Sequence, residues 1–224
     1  MERIAHRGAK RELPENSIPA FRRAFERGAD AIELDVHATS DGVVVVHHDP
    51  SLARATCTAG RAISGMTWDE LRQVELAPGV GVPSLADVLA ATPSTKTVYV
   101  EIKGDGIEAA VIGVIRAGAV RCAVHSFDHQ AIARCRELAP EIPRGILFEK
   151  ATADVMLQGL RTFGARDLWP RWNLIDARLV AEVHDAGARV IAWTVNSVSS
   201  ARSLAGMGVD GLCTDDVRLL DDLR

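Results

Sequence analysis

Residues 31–50 read AIELDVHATSDGVVVVHHDP, and the two apolar runs in this stretch decide how the chain folds. The first run carries carboxylates at alternate positions, Glu33 and Asp35, which places both on one face of an extended strand. The second run follows too soon for a parallel neighbour, because a parallel crossover needs about a dozen residues. An antiparallel hairpin remains, and Asp41-Gly42 is a pair that two-residue hairpin turns favour.

A two-residue turn at Asp41-Gly42 fixes which residues of the hairpin face each other. The register that it predicts sets Asp35 opposite His48, and directly opposed residues project to the same face. His47 then points to the other face. A bulge in the hairpin would shift this register by one residue. We therefore expect His48, rather than His47, to lie beside the carboxylates.

Short apolar runs alternate with amphipathic helical patterns over the rest of the chain. Eight runs predict strands: RIAH (3–6), AIELDV (31–36), VYVEIK (98–103), CAVHSF (122–127), GILFE (145–149), DLW (167–169), RVIAWTV (189–195) and DGLCT (210–214). Strand–helix alternation indicates a parallel sheet, and eight strands indicate a (β/α)8 TIM barrel of the α/β class. We predict a single barrel domain over residues 1–224, with the β-hairpin after the second strand and a small excursion at 51–82.

Capping residues and glycines mark the ends of several helices. Helices are predicted over 17–28, 84–91, 128–138 and 175–187, with a short one from Trp68 after a TWDE capping box. PENS (14–17) is interpreted as the cap of the first helix, and TDD (214–216) as the cap of the last one.

Composition excludes several classes of partner. The net charge is −4 with both signs interspersed, so no basic face indicates nucleic acid or an anionic membrane. No apolar run reaches the ~18 residues of a membrane span, and no signal peptide precedes the first strand. We expect a cytoplasmic protein with no stable membrane anchor, although an exported protein trimmed of its leader would read the same. The four cysteines lack metal-site spacing and are expected to be reduced thiols; the oligomeric state stays open.

Carboxylates collect where the predicted strands end, which is the catalytic face of such barrels. Glu33 and Asp35 repel each other in a barrel mouth unless a cation or a proton lies between them. Glu101, at the end of the next barrel strand, supplies a third carboxylate. Oxygen ligands of this kind predict one hard divalent cation, Mg²⁺ or Ca²⁺. Lys103 shares the face of Glu101 and offers a point charge for a phosphate oxygen.

Two histidines complete the predicted site. His6 ends the first strand and His48 returns on the hairpin, so the pair suits general acid–base displacement. Arg7 could clamp a phosphate bidentately. Trp193, in WTVN, could wall a small polyol, but a core tryptophan fits equally well. The other histidines are interpreted as structural: His37, His47, His125, His129 and His184.

Six motifs together resemble the glycerophosphodiester phosphodiesterase family. They are HRGAKRELPENSIPAF, AIELDVHATSDGVVVVHHDPSLAR, VYVEIK, SFDH, VIAWTVN and GVDGLCTDD, and they span nearly the whole chain. The resemblance implies a metal-dependent barrel that hydrolyses a glycerophosphodiester to sn-glycerol 3-phosphate and an alcohol.

The resemblance also implies roles for individual residues. His6 and His48 would be the acid–base pair, and Arg7 and Lys103 would bind the phosphate. The metal ligands implied are Glu33, Asp35 and Glu101. The nucleophile stays open between water and the substrate's own 2-hydroxyl. Two alternatives remain, a lysophospholipase D-like lipid phosphodiesterase on the same fold and a barrel that binds phosphodiesters without catalysis.

Overall fold

The barrel expected from the alternation is confirmed. A computed structural model of the chain describes residues 1–52 and 60–223. The strands are β1 Glu2–His6, β2 Ala31–Ala38, β3 Val44–Val46, β4 Glu75–Ala77, β5 Val80–Gly81, β6 Thr97–Ile102, β7 Arg121–Ser126, β8 Arg144–Phe148, β9 Asp167–Pro170, β10 Arg189–Ala192 and β11 Gly211–Thr214. Eight of them run parallel in the order β1-β2-β6-β7-β8-β9-β10-β11, and the pairing of β1 with β11 closes the barrel.

The helices cover the outside of the barrel. They are α1 Ile18–Glu26, α2 Trp68–Leu71, α3 Leu85–Ala91, α4 Glu108–Ala117, α5 His129–Leu138, α6 Ala153–Phe163, α7 Ala177–Asp185 and α8 Val198–Met207, with 3-10 helices at Ile63–Gly65, Trp172–Leu174 and Val217–Leu223. Side chains accept helix N–H groups at the predicted starts Ser17, Ser84 and Asp128, and Asp176 caps α7 in the same way. The capping box of Thr67 and Glu70 likewise starts α2.

Each barrel strand contributes one side chain to the packed interior. These side chains are Ile4, Ala31, Tyr99, Ala123, Leu147, Trp169, Ile191 and Cys213. Because side chains alternate along a strand, the residue two positions further on shares the same face and reaches the mouth. That rule places a second set at or just beyond the carboxyl ends of the strands: His6, Glu33, Glu101, His125, Glu149, Arg171, Trp193 and Asp215.

Charged and polar groups close the opposite, amino-terminal end of the barrel. Glu2 Oε2 accepts hydrogen bonds from Tyr99 Oη at 2.6 Å and from Arg189 at 2.7 Å. Arg189 also lies 3.6 Å from the fully buried carboxylate of Asp167, which pairs with Arg166. The barrel is therefore filled by side chains and sealed at this end.

The hairpin forms, but the register predicted for it is wrong by one residue. Val36 pairs with Val46, and the backbone N–H of His47, instead of that of His48, reaches the carbonyl of Asp35. The loop has three residues, because Thr39 N–H bonds to Val43 O and Gly42 takes a φ of 84°. A three-residue loop ending in a left-handed glycine shifts every pair by one position.

Part of the excursion between β3 and α3 lies within the described residues. It contains the 3-10 helix Ile63–Gly65, α2 and the antiparallel pair β4–β5. Its apolar side chains form a separate cluster on Val45, among them Leu52, Ile63 and Leu71. Residues 53–59, with Cys57, lie outside the described residues.

Two further observations concern the described part of the chain. Cys122, Cys135 and Cys213 are free thiols. None of the helices within residues 1–52 and 60–223 is both long and apolar enough to cross a bilayer.

Candidate active site

Three carboxylates meet at the mouth of the barrel on neighbouring strands. Glu33 and Asp35 project from β2, and Glu101 projects from β6 directly beside Asp35 in the strand register. All three are buried. Glu33 Oε1 and Asp35 Oδ1 have no hydrogen-bond partner in the described structure. Buried carboxylate oxygens without donors are costly, so the site has an unmet need for positive charge.

Two cations and one amide hold Asp35 in place. Arg7 Nε lies 3.0 Å from Asp35 Oδ2, and Asn16 Nδ2 donates to the same oxygen at 2.9 Å. Lys103 Nζ lies 3.5 Å from Asp35 Oδ1 and 3.0 Å from Glu101 Oε1. Arg7 and Asn16 both have positive φ, 59° and 55°, a conformation that non-glycine residues adopt rarely and mostly at functional sites.

The pKa values of the carboxyls follow from this arrangement. Burial, followed by the charge of Asp35, raises the pKa of Glu33, and the same two causes raise the pKa of Glu101. Burial opposes ionisation of Asp35 as well, but Arg7, Lys103 and the amide of Asn16 outweigh it and lower the pKa. The site therefore carries more acidic groups than its own cations neutralise, and a divalent cation fits this donor set.

His6 is oriented by a carboxylate that the sequence analysis assigned elsewhere. Its Nδ1 lies 2.7 Å from Asp215 Oδ1, and its Nε2 lies 3.9 Å from Glu33 Oε2. Asn196 Nδ2 donates to Asp215 Oδ2 at 2.8 Å, and Lys10 Nζ lies 3.4 Å from Oδ1. Burial raises the pKa of Asp215, but the hydrogen bond and the charge of His6 outweigh it and hold that pKa well below its usual range.

His48 borders the site after the hairpin, but the predicted strand pairing of His48 with Asp35 is wrong. Strand β3 ends at Val46, and residues 48–50 form a bend, so strand alternation does not extend to His48. Burial lowers the pKa of His48, and the charge of Asp35 acts in the opposite direction. His48 Nδ1 lies 2.7 Å from Asp49 Oδ1. His48 also borders a cavity of about 270 Å³ together with Asn16.

His125 lies deeper, at the level of Glu101 on the next strand. Its ring is buried, and Nε2 is 3.7 Å from Glu33 Oε1. Burial lowers the pKa of His125 to about 4, so the imidazole is neutral. Ligand atoms of Glu33, Glu101 and His125 all lie within 4.8 Å of one another, close enough to hold one metal ion.

Trp193 stands on the far side of the mouth. Its Nε1 donates to the carbonyl of Trp169 at 2.9 Å, and its ring packs edge-on against Phe127 with centroids 5.3 Å apart. Trp193 is only partly buried and Phe127 is 44% exposed. The two rings thus form an aromatic wall beside the polar site.

The structure brings together most residues that the sequence predicts for the site. Direct contacts link His6, Arg7, Glu33, Asp35, Glu101 and Lys103. Asn16, His125 and Asp215 also lie in the site, although the sequence did not predict them there. For His125 and Asp215 a usable signal exists, because each follows an interior residue of its strand by two positions. For Asn16 the sequence holds no such signal.

Comparison with known proteins gives concordant results. The model of the glycerophosphoryl diester phosphodiesterase family matches residues 6–219. A glycerophosphodiester phosphodiesterase of Caldanaerobacter subterraneus is 32% identical over 235 residues, covering 98% of this chain and 96% of that protein. Another from Bacillus altitudinis is 33% identical over 233 residues, covering 95% and 93%. The structure of an Oleispira antarctica phosphodiesterase in complex with the product sn-glycerol-3-phosphate superimposes with a TM-score of 0.90 at 25% identity, covering 98% of this chain and 94% of that one.

Proposed function

The chain belongs to the glycerophosphoryl diester phosphodiesterase family and is an enzyme of that class; we propose that it hydrolyses a small glycerophosphodiester to sn-glycerol 3-phosphate and an alcohol. One observation carries the proposal: His6 Nε2 lies 3.9 Å from the buried carboxylate of Glu33, and His48 borders the same cavity as Asn16, whose amide holds Asp35. Two imidazoles beside one acidic pocket are the groups that a phosphodiester displacement needs.

The acidic pocket is proposed to hold one divalent cation. Glu33, Asp35 and Glu101 would be its oxygen ligands, and the unpartnered buried oxygens of Glu33 and Asp35 support this role. When bound, the cation would act as a Lewis acid that neutralises charge on the phosphoryl oxygens. Mg²⁺ and Ca²⁺ are the ions that oxygen ligands alone favour.

The histidines are proposed to move protons at their Nε2 atoms. A carboxylate accepts hydrogen bonds, so Asp215 keeps a proton on His6 Nδ1 and leaves Nε2 for the substrate. Asp49 constrains His48 Nδ1 in the same way. One Nε2 takes the proton of the attacking oxygen and the other protonates the leaving alcohol.

The remaining residues are proposed to bind and position the substrate. Lys103 and Arg7 place positive charge at the mouth for the phosphate, and the wall of Trp193 and Phe127 would pack against the glycerol carbons. We propose that the chain works as one barrel domain on a small-molecule substrate. The cytoplasmic location stays a prediction.

A turnover assay tests the function. The purified protein, stripped of metal and resupplied with Mg²⁺, Ca²⁺ or Mn²⁺ in turn, is given glycerophosphocholine, glycerophosphoethanolamine and lysophosphatidylcholine. We expect release of sn-glycerol 3-phosphate from the first two substrates, only with metal present. Preference for lysophosphatidylcholine would instead support the lipid phosphodiesterase, and tight binding without any turnover would support a non-catalytic barrel.

Two variants test the acid–base pair. His6→Ala and His48→Ala should each lower kcat about 10²–10⁴-fold, the usual contribution of a general acid or base. His184→Ala is the matched control, because this histidine lies on α7 and pairs with Asp210 at the surface. Turnover near that of the unmodified protein in either mouth variant would reject the assignment.

A further inference from the structure

His125 is a buried histidine for which the proposed chemistry has no use. Its residue exposure is 1%, yet neither Nδ1 nor Nε2 has a hydrogen-bond partner in the described structure. Buried polar groups are nearly always satisfied, and a neutral imidazole with two unsatisfied nitrogens needs an explanation. Glu33 Oε1, which lies 3.7 Å from His125 Nε2, is unsatisfied as well.

The spacing of these two unsatisfied groups is informative. Nε2 and Oε1 are 3.7 Å apart, which is too long for a hydrogen bond. Two ligands at about 2.1 Å from one ion stand roughly 3.0–3.4 Å from each other in octahedral or tetrahedral geometry. A contraction of a few tenths of an ångström would thus bring both atoms onto a single cation, with Glu101 within 4.8 Å of both.

Aromatic packing fixes the direction in which the imidazole points. The ring of Trp169 stands perpendicular to that of His125 with centroids 4.3 Å apart, and Tyr99 packs on Trp169 at 5.0 Å. Gly145 makes room for this arrangement, since a Cβ there would come within 2.7 Å of Trp169 and 3.2 Å of His125. A ring wedged in this way is preorganised to present Nε2 to the carboxylates.

From this geometry we propose that His125 is a nitrogen ligand of the catalytic cation, and that the site therefore prefers a transition-metal ion such as Mn²⁺ to Ca²⁺. The inference rests on the proposed metal site and adds to it a residue that sets which metal is bound. Imidazole raises affinity for first-row transition metals, whereas Ca²⁺ takes oxygen ligands. Three carboxylates and one imidazole would together offer both oxygen and nitrogen ligands. His125 would then be the residue that favours a transition-metal ion over Ca²⁺.

Metal binding by the full-length protein tests the proposal without relying on activity. Mn²⁺ is titrated by electron paramagnetic resonance, Ca²⁺ by competition against it, and directly bound nitrogen is detected by electron spin echo modulation. We expect nitrogen modulation in the unmodified protein and none in His125→Gln, whose amide offers an oxygen ligand of similar reach. The ratio of the Kd for Ca²⁺ to the Kd for Mn²⁺ should fall at least ~10-fold in this variant, since even outer-shell changes cost 10–100-fold in affinity.

Controls separate this inference from the proposed function. His184→Gln should keep both the modulation and the ratio, because this histidine lies on the outer surface. Absence of nitrogen modulation in the unmodified protein, or a ratio that changes less than threefold in folded His125→Gln, overturns the proposal. If His125→Gln fails to fold, the histidines are labelled with ¹⁵N in three proteins: the unmodified protein, His6→Ala and His48→Ala. A change in nitrogen modulation on labelling that persists in all three supports His125 as the ligand. Loss of that change in either variant overturns the proposal. Bound nitrogen without hydrolysis of glycerophosphocholine would reject the proposed function alone.

Discussion

Replacing Asp215 by asparagine is expected to disable His6 while changing only one atom of its partner. Asn196 Oδ1 accepts from the Asp215 backbone N–H at 3.0 Å, so Asn196 Nδ2 must be the group that donates to the Asp215 Oδ2 position. An asparagine at 215 therefore places its oxygen toward Asn196 and its NH₂ toward His6 Nδ1. The donor on Nδ1 moves the ring proton to Nε2, the atom that faces Glu33.

The magnitude follows from the contact that is lost. The 2.7 Å bond between His6 Nδ1 and Asp215 is charge-assisted when the ring is protonated, and such a bond contributes about 1.5–3 kcal/mol. The reversed tautomer adds to this loss, because Nε2 no longer presents a lone pair. We expect kcat to fall about 10²–10⁴-fold, which is about 3–5 kcal/mol of activation free energy.

The assay is release of sn-glycerol 3-phosphate from glycerophosphocholine at saturating metal. Asp216→Asn is the matched control: Asp216 accepts from the backbone N–H of Arg218 at 3.1 Å and caps the last 3-10 helix. That variant should keep its kcat and lose less than about 1 kcal/mol of stability, because asparagine caps helices about as well as aspartate and the ion pair of Asp216 with Arg218 lies near the surface. Asp215→Ala, which leaves Nδ1 to water, should lose less activity than D215N. A folded D215N with turnover within threefold of the unmodified protein would refute the reasoning about His6.

Two further predictions concern stability. Without metal, Glu33 and Glu101 each have a pKa raised to about 7, so they contribute fully to stability below pH 4.5 and this contribution is lost as the pH rises through 7. Between pH 5.5 and pH 8, the Tm read by scanning calorimetry should therefore fall by at least ~2 °C more in chelator than in the metal-loaded protein. Equal pH dependence with and without metal would contradict this prediction. Asn16→Ala removes the 2.9 Å donor to buried Asp35 and should lower the free energy of unfolding, measured in urea, by about 1–3 kcal/mol. The control Asn173→Ala, at a solvent-exposed residue of the 3-10 helix Trp172–Leu174, should lower it by less than ~0.5 kcal/mol. Equal losses in the two variants would contradict the role of Asn16.

The strands were predictable because their signal is local. Each barrel strand is a short apolar run between helical patterns, and each of the eight parallel strands overlaps one of the eight runs, although the run at 189–195 extends three residues past the end of β10. The two carboxylates of β2 and the acid of β6 were predictable for the same reason, since polar residues in otherwise buried strands are conspicuous.

The hairpin register was not predictable from Asp41-Gly42 alone. Asp41 Oδ1 accepts from the hydroxyl of Thr39 at 2.6 Å and from the N–H of Trp68 at 2.9 Å. The second of these contacts joins Asp41 to a residue 27 positions away. Both contacts are made in a three-residue loop, whereas the sequence predicted a two-residue turn. A long-range contact of this kind has no local signature, so the pairing could be read only from the structure.

His125 and Asp215 were missed because single residues of their type usually serve packing or capping. Within TDD, Asp216 does cap the last helix, as expected, while Asp215 turns to His6. Which of the two adjacent aspartates takes which role depends on which face of β11 points into the barrel, and the interior position of Cys213, two residues before Asp215, shows that face.

The seal at the amino-terminal end of the barrel has a consequence for turnover. Among the described residues, Glu2, Tyr99, Arg189 and Asp167 are joined by hydrogen bonds and an ion pair across this end, so we expect ligands to enter and leave by the mouth. Both products then leave by the mouth. The alcohol is neutral or cationic, so it interacts more weakly with the cationic groups of the site than the phosphate does. We expect the alcohol to depart first and accumulated sn-glycerol 3-phosphate to slow the enzyme by competing with fresh substrate.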